Sequence, residues 1–524
     1  MGQRQDKRLP FPLFSPFALL RRRPYTRGAA LPLKVAAITR HARGASLASL
    51  SSRRTGVGED GSLHEACGVI GVYAPGMNVA QAAFYGLYAL QHRGQESAGI
   101  ATATGDRIHC YTNMGLVSQA FRESDLMRLE GHIAIGHTRY STTGSTHIRN
   151  AQPLMARSGD LELALAHNGN VINAQELRAE LSELGYTFTS STDSEAIANL
   201  LAYAPGQEWG EKLSYLMRRL QGAYSLTVLT RDTLLGIRDP RGVRPLCLGK
   251  LNGGWIIASE SCALDHLGAT YLREVEPGEA VVIDGNGLRS IPYAGELPKA
   301  APCVFEHIYF ARPDSLLGGN LTYLTRREMG RQLAREHPVE ADVVIGVPDS
   351  ATAAAVGYAQ ESGIPYSEGL VKNRYIGRTF IQPDQRIRDL GVRLKFNPLP
   401  EVIGGRRVVV VDDSIVRGTT TPQVVSLLRK AGATQVHMRV CAPPIRYPCH
   451  FGVDMASKQE LIAANMSVDE VCRFIGADSL GYMSVEGLLK SVGGDAGKTF
   501  CAACFTGKYP IPVQLEMDKL ALER

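Results

Sequence analysis

"VVVVDDSIVRGTTTPQ", residues 408–423, sets four valines without interruption ahead of two acids, a Ser/Gly/Thr loop and a Thr-Pro pair. An unbroken Val run predicts a strand buried on both faces, hence a parallel sheet with covering helices. Thr421 as N-cap, Pro422 at the first helical position and Gly432 beyond the end predict a helix after the loop. Loop amides and hydroxyls then gather at a helix N-terminus, which is an anion site. Asp412 and Asp413 fall at the carboxyl end of the strand, where open α/β sheets collect ligands. Two acids would repel a phosphate. Their chemistry suits sugar hydroxyls, and Mg2+ held through its waters, so the expected ligand is a phosphorylated sugar.

Working outward, the same texture of helix, apolar strand and helix runs from about residue 320: "RREMGRQLAREH", "ADVVIGVPDS", "ATAAAVGYAQESG". Ahead of it the pattern differs. From Cys67 to about residue 300, short strands alternate with Gly: "GVIGVYA", "HIAIGHTRY", "LELALAHNGN", "AYSLTVLT", "GWIIASE", "EAVVIDG". Helical patterns interrupt them near residues 78–91 and in "SEAIANLLAYA", so stacked, mainly antiparallel sheets are expected. The composition breaks at "GELPKAAPC", residues 295–303. The expected division is a leader over 1–66, disordered or removed, one domain over 67–300, a second over 301–485, and a C-terminal segment over 486–524.

The chain has 524 residues, too many for one ordinary core, and no apolar run long enough for a membrane helix. Its formal charge of +6 conceals an asymmetry. Residues 1–58 carry ten Arg and two Lys against the single acid Asp6, leaving the remainder at −5. A slightly acidic body gives no electrostatic case for nucleic acid, and neither nucleic acid nor membrane is an expected partner. The Arg- and Ser-rich leader has the composition of an organelle transit peptide, so the expected location is the cytoplasm or, if the leader is an address, an organelle. Ten scattered cysteines indicate a reducing compartment rather than a disulfide scaffold, and most read as small buried hydrophobes.

With these residues in view, "VVVVDDSIVRGTT" resembles the signature of the type I phosphoribosyltransferases, which bind phosphoribosyl pyrophosphate (PRPP). The resemblance implies that Asp412 and Asp413 hold the ribose and that Ser414, Arg417, Gly418, Thr419 and Thr420 cradle the 5-phosphate. It also implies that Ser350 of "PDS" joins Asp412 and Asp413 in the Mg2+ and PRPP set, one Mg2+ per subunit. The basic stretch "VKNRYIGRTFIQPDQRIRDLGVRLKFNP" reads as a lid over a polyanion, with Arg378 and Lys395 matching pyrophosphate contacts.

"CGVIGVYAP", "LQHRGQESAGIA", "GHTRYSTTG", "AHNGNVIN" and "TDSEAIANLL" follow one another in the first half. Singly each is ordinary: a buried Cys, a strand, an NG hairpin turn. Together they resemble the N-terminal-nucleophile glutamine amidotransferases, which implies a four-layer αββα domain. Combined with the phosphoribosyltransferase signature they narrow the likeness to the glutamine PRPP amidotransferase family, over residues 62 to about 515. The implied reaction hydrolyses glutamine and passes ammonia to C1 of PRPP, giving 5-phosphoribosylamine and pyrophosphate, the committed step of purine synthesis. Cys67 is the implied nucleophile, with its own freed α-amine as general base. Arg139 would hold the glutamine carboxylate, Asp193 its α-ammonium, and Asn168 with Gly169 the oxyanion. Tyr140 and the lid would enclose the passage of ammonia. Purine nucleotides are the implied feedback inhibitors, and a homodimer or homotetramer the implied assembly.

Cys303, Cys449, Cys501 and Cys504 form a separate group. Spacing alone leaves zinc, redox chemistry and an iron–sulfur centre open. The positions resemble those of the family's cluster-bearing branch, which implies one [4Fe-4S] cluster per subunit. Two rival functions share part of the pattern. A glutamine-dependent sugar-phosphate aminotransferase would lack the 408–420 string, and a PRPP-sensing regulator without catalysis would not need Cys67, Arg139 and Asp193.

Overall fold

The computed structural model describes residues 67–140, 145–373, 395–453, 457–494, 499–513 and 522. The leader, Arg378 and most of the lid lie outside these. Among the described residues no helix is long and apolar enough to cross a membrane.

Two antiparallel sheets form the N-terminal half. The first has seven strands, with Gly68–Tyr73 between Gly254–Ala258 and Ile133–Arg139. The second has six, with Leu161–Val171 between Gly222–Leu229 and Leu154–Ser158. Period-2 alternation in "GVIGVY" explains the stacking. Val69 turns inward to a core shared with Ala164, Ala166 and Leu234 of the second sheet, whereas Ile70 and Val72 turn outward against the Val79–Ala89 helix. On the far side, helices Ala174–Glu183, Asp193–Ala202 and Trp209–Arg219 cover the second sheet. The layers are therefore helix, sheet, sheet and helix. The first and third of those three covering helices were not foreseen.

Beyond residue 300 a parallel sheet runs in the order Val343–Gly346, Arg407–Asp412, Gln435–Val440, Ser479–Tyr482. Val408 to Val411 are wholly buried in its second strand, as the unbroken run requires. At roughly 1.5–3 kcal/mol per fully buried Val side chain, this strand anchors the layer that presents Asp412 and Asp413. The helix that follows begins one residue before the expected place. Thr420 already has helical backbone angles and occupies the cap position, so Thr421 is the first helical residue and Pro422 the second. Gly432 stands past the end with φ +97°. The C-terminal segment does not form a core of its own: Ala502 and Phe505 pack in the core that holds Val304, Phe305 and the parallel sheet.

The strand expected over "LELALAHNGN" is present, with Asn168, Gly169 and Asn170 continuing Leu161–Val171 in register with Ser225, Tyr224 and Ala223. One other reading needs correction. Cys110 is exposed rather than buried, since its strand lies at the edge of the seven-stranded sheet.

Candidate functional site

Cys67 immediately precedes the central strand of the first sheet, and antiparallel pairing sets it beside the end of the Ile133–Arg139 strand. Its Sγ lies 3.3 Å from the Tyr140 carbonyl oxygen, and the Tyr140 amide donates back to Sγ at 3.4 Å. Burial pushes the thiol pKa up, while the Tyr140 amide and the Arg139 charge pull it down and do not fully compensate. The thiol is therefore protonated near neutrality and needs a base before it can attack.

Arg139, Asp193 and Gly169 line the same small cavity as Cys67. Asp193 opens a helix capped by Thr192, whose side chain accepts from the Glu195 amide, and its Oδ2 accepts from the Val171 amide at 2.9 Å. Arg139 Nη1 donates to the Ser145 carbonyl at 3.2 Å and faces Glu96 Oε2 at 3.6 Å. Gly169 has φ +150°, and a Cβ there would stand 2.0 Å from the Ala223 carbonyl oxygen, so only glycine fits. The Asn168 side chain does not line the cavity. It is sealed on the same strand, and neither its Nδ2 nor its Oδ1 finds a partner among the described residues. An unpaired buried amide is costly, which marks Asn168 as held for a purpose other than stability.

Four further lining residues escaped the sequence reading: Gln152, His167, Thr192 and Ser194. Three of them form one chain, in which Gln152 Nε2 donates to Ser194 Oγ at 2.9 Å and Ser194 Oγ meets His167 Nδ1 at 3.1 Å. Burial pushes the His167 pKa down, so its ring is neutral at pH 7. The cavity measures about 10 Å³, the space of about one water, and a glutamine can enter only if its walls move.

At the other site, Asp412 and Asp413 close the Arg407–Asp412 strand. Ser350 Oγ donates to Asp413 Oδ2 and Ser414 Oγ to Asp413 Oδ1, each at 2.5 Å. Burial, then mutual repulsion with Asp413, pushes the Asp412 pKa well up, and burial pushes Asp413 up as well. Lys395 beside Asp412 and Arg326 beside Asp413 offset only part of this. Two adjacent carboxylates, Asp413 buried and Asp412 half-buried, with so little compensation fit a cation, which the chemistry of Mg2+ satisfies. Gly418 has φ +72° and packs under Ile462 and Phe474, while Arg417 is turned to Glu460 at 2.9 Å. Thr419 and Thr420 complete the loop. Arg378 falls outside the described residues.

The four cysteines converge from three segments. Cys303 pairs with Cys501 as a parallel bridge, and the Arg446 and Tyr447 amides donate to the Cys504 carbonyl. Cys303, Cys449, Cys501 and Cys504 all lie within electrostatic reach of one another. Burial raises the Cys303 thiol to about 12, with Arg244 pulling it down, and raises Cys501 and Cys504 further. Among the described residues no three His, Cys, Asp or Glu side chains form a closed cation cage, so the thiols would have to draw together to bind. The donor set itself, four sulfurs with the Phe451 amide donating to Cys449 Sγ at 3.4 Å, fits a thiolate-ligated centre.

The chain resembles known proteins over most of its length. A glutamine amidotransferase domain family matches residues 137–266, and a phosphoribosyl transferase domain family matches residues 324–447. An amidophosphoribosyltransferase of Synechococcus elongatus is 51% identical over 467 residues, covering 88% of this chain and 94% of that protein. One from Methanocaldococcus jannaschii is 48% identical, over 86% and 98%. A solved structure of glutamine PRPP amidotransferase from B. subtilis, complexed with ADP and GMP, superposes with TM-score 0.81 at 45% identity, covering 86% of this chain and 99% of that one.

Proposed function

The chain belongs to the amidophosphoribosyltransferase family, and from that premise we propose how its own residues perform glutamine-dependent amination of PRPP. Cys67 Sγ attacks the glutamine amide carbon, the thiol proton passing to the Cys67 α-amine, which must first be freed by removal of residues 1–66. The C–N bond breaks, ammonia leaves, and water hydrolyses the γ-glutamyl thioester to glutamate. Arg139 pairs with the substrate carboxylate and Asp193 with its ammonium; the Gly169 amide and, once the walls have moved to admit glutamine, Asn168 Nδ2 receive the oxyanion.

Ammonia then attacks C1 of PRPP and pyrophosphate departs. Asp412 and Asp413 accept from the ribose hydroxyls, and the 414–420 loop takes the 5-phosphate at the helix N-terminus. Arg378 and Lys395 face the pyrophosphate. Asp412, Asp413 and Ser350 are the residues that would hold Mg2+, which when bound neutralises charge on the leaving group. Cys303, Cys449, Cys501 and Cys504 would hold a [4Fe-4S] cluster with a structural role, tested by iron and acid-labile sulfide in anaerobically purified protein. Stoichiometric zinc without iron would overturn that assignment. We further assign purine nucleotides as inhibitors, a homodimer or homotetramer as the assembly, and the cytoplasm as the location unless the leader proves to be a transit peptide.

The arrangement of Cys67 with Arg139, Gly169 and Asp193 around one cavity carries the proposal. Cys67→Ala should lower glutamine-driven synthesis by about 10⁴-fold or more, while ammonia-driven synthesis continues. Full glutamine-driven activity in that variant would sink the assignment, as would a mature N-terminus other than Cys67.

A further inference from the structure

The strand that carries Gly169 is not supported by the N-terminal half alone. A loop of the C-terminal half, His450–Phe451–Gly452, makes three separate backbone contacts around it. Asn170 Nδ2 donates to the His450 carbonyl at 2.9 Å. Arg244 Nε donates to the Phe451 carbonyl at 2.9 Å, and the buried Phe451 ring packs in one cluster with Ala223, the neighbour of Asn170 on the next strand. Gly452, at φ +96°, lies so close that a Cβ would stand 2.8 Å from the Gly169 carbonyl carbon, 2.9 Å from its Cα and 3.0 Å from its oxygen.

The contact therefore touches the backbone of Gly169 itself. On its other side that residue has the Ala223 carbonyl, 2.0 Å from where a Cβ would be. Gly169 is held between two surfaces, one from each half of the molecule. Arg244 fixes the loop from behind: it is wholly buried and its Nη1 is paired at 3.0 Å with Glu306, a residue of the C-terminal half. Gly452 bears on Gly169 Cα, C and O, so it fixes the carbonyl side of that residue and, through the shared Cα, constrains the N–H on its other side; a fixed donor direction is what oxyanion stabilisation requires.

We propose that Gly452 is a positioning residue for glutamine hydrolysis, and that the His450–Gly452 loop of the C-terminal half sets the orientation of the Gly169 peptide in the glutaminase site. The inference rests on the assignment of Cys67 and Gly169 made above. It adds that the glutaminase site is completed by backbone from outside its own domain. Cys449 stands at the head of the same loop and its Sγ accepts from the Phe451 amide, so anything that moves that thiol also bears on Gly169.

The test compares Gly452→Ala and Asn170→Ala with the parent as full-length enzyme. In Gly452→Ala the added methyl displaces the Gly169 peptide, and kcat for glutamine hydrolysis should fall about 10²-fold with KM for glutamine within about twofold. Ammonia-driven synthesis from PRPP and the rate of Cys67 alkylation by iodoacetamide should stay at parental values. Asn170→Ala removes one tether without inserting bulk, and its glutamine kcat should fall about fivefold under the same controls. If Gly452→Ala fails to fold, Asn170→Ala decides. A parental glutamine kcat in Gly452→Ala, or a parallel fall of both activities in Asn170→Ala, would overturn the proposal. Its failure is separate from that of the underlying assignment, which stands or falls with Cys67→Ala.

Discussion

Around Cys67, the side chains come from strands and a helix spread over more than a hundred residues, and they close on a space of about one water. Around Asp413, one strand and the loop after it supply nearly everything, with Ser350 from the neighbouring strand end. The first site is held together by pairing: Asp193 with the Val171 amide, Arg139 with Glu96, His167 with Ser194. The second sets the half-buried Asp412 beside the buried Asp413 and leaves their repulsion standing. The first site is sealed and its charged groups are paired within it, while the Asn168 amide is left without a partner among the described residues. At the second site burial and mutual repulsion leave both carboxyl pKa values raised, which suits the proposed Mg2+ and PRPP.

This contrast can be broken first at Asp413. Asp413→Asn removes one charge of the pair, and synthesis with either glutamine or ammonia should drop about 10³-fold, whereas glutamine hydrolysis without PRPP should be unaffected. A matching loss of hydrolysis would show that the two sites are not separate. The joint between the halves is the next place to press. Glu306 accepts from Arg93 Nη2 at 2.5 Å and from Arg244 Nη1 at 3.0 Å, all three buried. Arg93 also pairs with Glu260, and the glycine after it, Gly94, lies against the Arg139 backbone. Glu306→Gln leaves two buried guanidinium groups short of charge and should cost about 3 kcal/mol in urea unfolding. An unchanged midpoint would mean the halves do not depend on this contact.

The smallest effect concerns pH and belongs to the N-terminal half. Burial lowers the His137 pKa to about 3, with the His167 carbonyl bond at 3.1 Å opposing. The folded form resists protonation more than the unfolded chain does. Stability from this group is therefore complete above its unfolded pKa and is lost as pH falls below it, by about 2 kcal/mol near pH 5. His137→Gln should flatten that part of the stability–pH curve. A parental slope in the variant would place the acid sensitivity elsewhere.

The same contrast governs how much could be read from residues alone. The 408–423 string fixes strand, loop and helix in sequence order, because a buried parallel strand needs an unbroken apolar run and the ligand groups follow it directly. Only the helix start was displaced, by one residue, since Thr420 rather than Thr421 occupies the cap position. Cys67, Arg139 and Asp193 could be named from their motifs, but Gln152, His167 and Ser194 could not. Their hydrogen bonds span up to 42 residues of chain and leave no local pattern.

What the sequence determined by itself was the strand, loop and helix at 408–423 and the alternation that stacks two sheets ahead of a parallel one. Tertiary structure alone decided that Gln152, His167 and Ser194 meet beside Cys67, because the hydrogen bonds that join them connect segments far apart in the chain. It also decided that Gly452, nearly three hundred residues away, lies against Gly169. Close approach between two backbones depends on missing side chains at both positions, and a glycine in a sequence does not show which other glycine it faces.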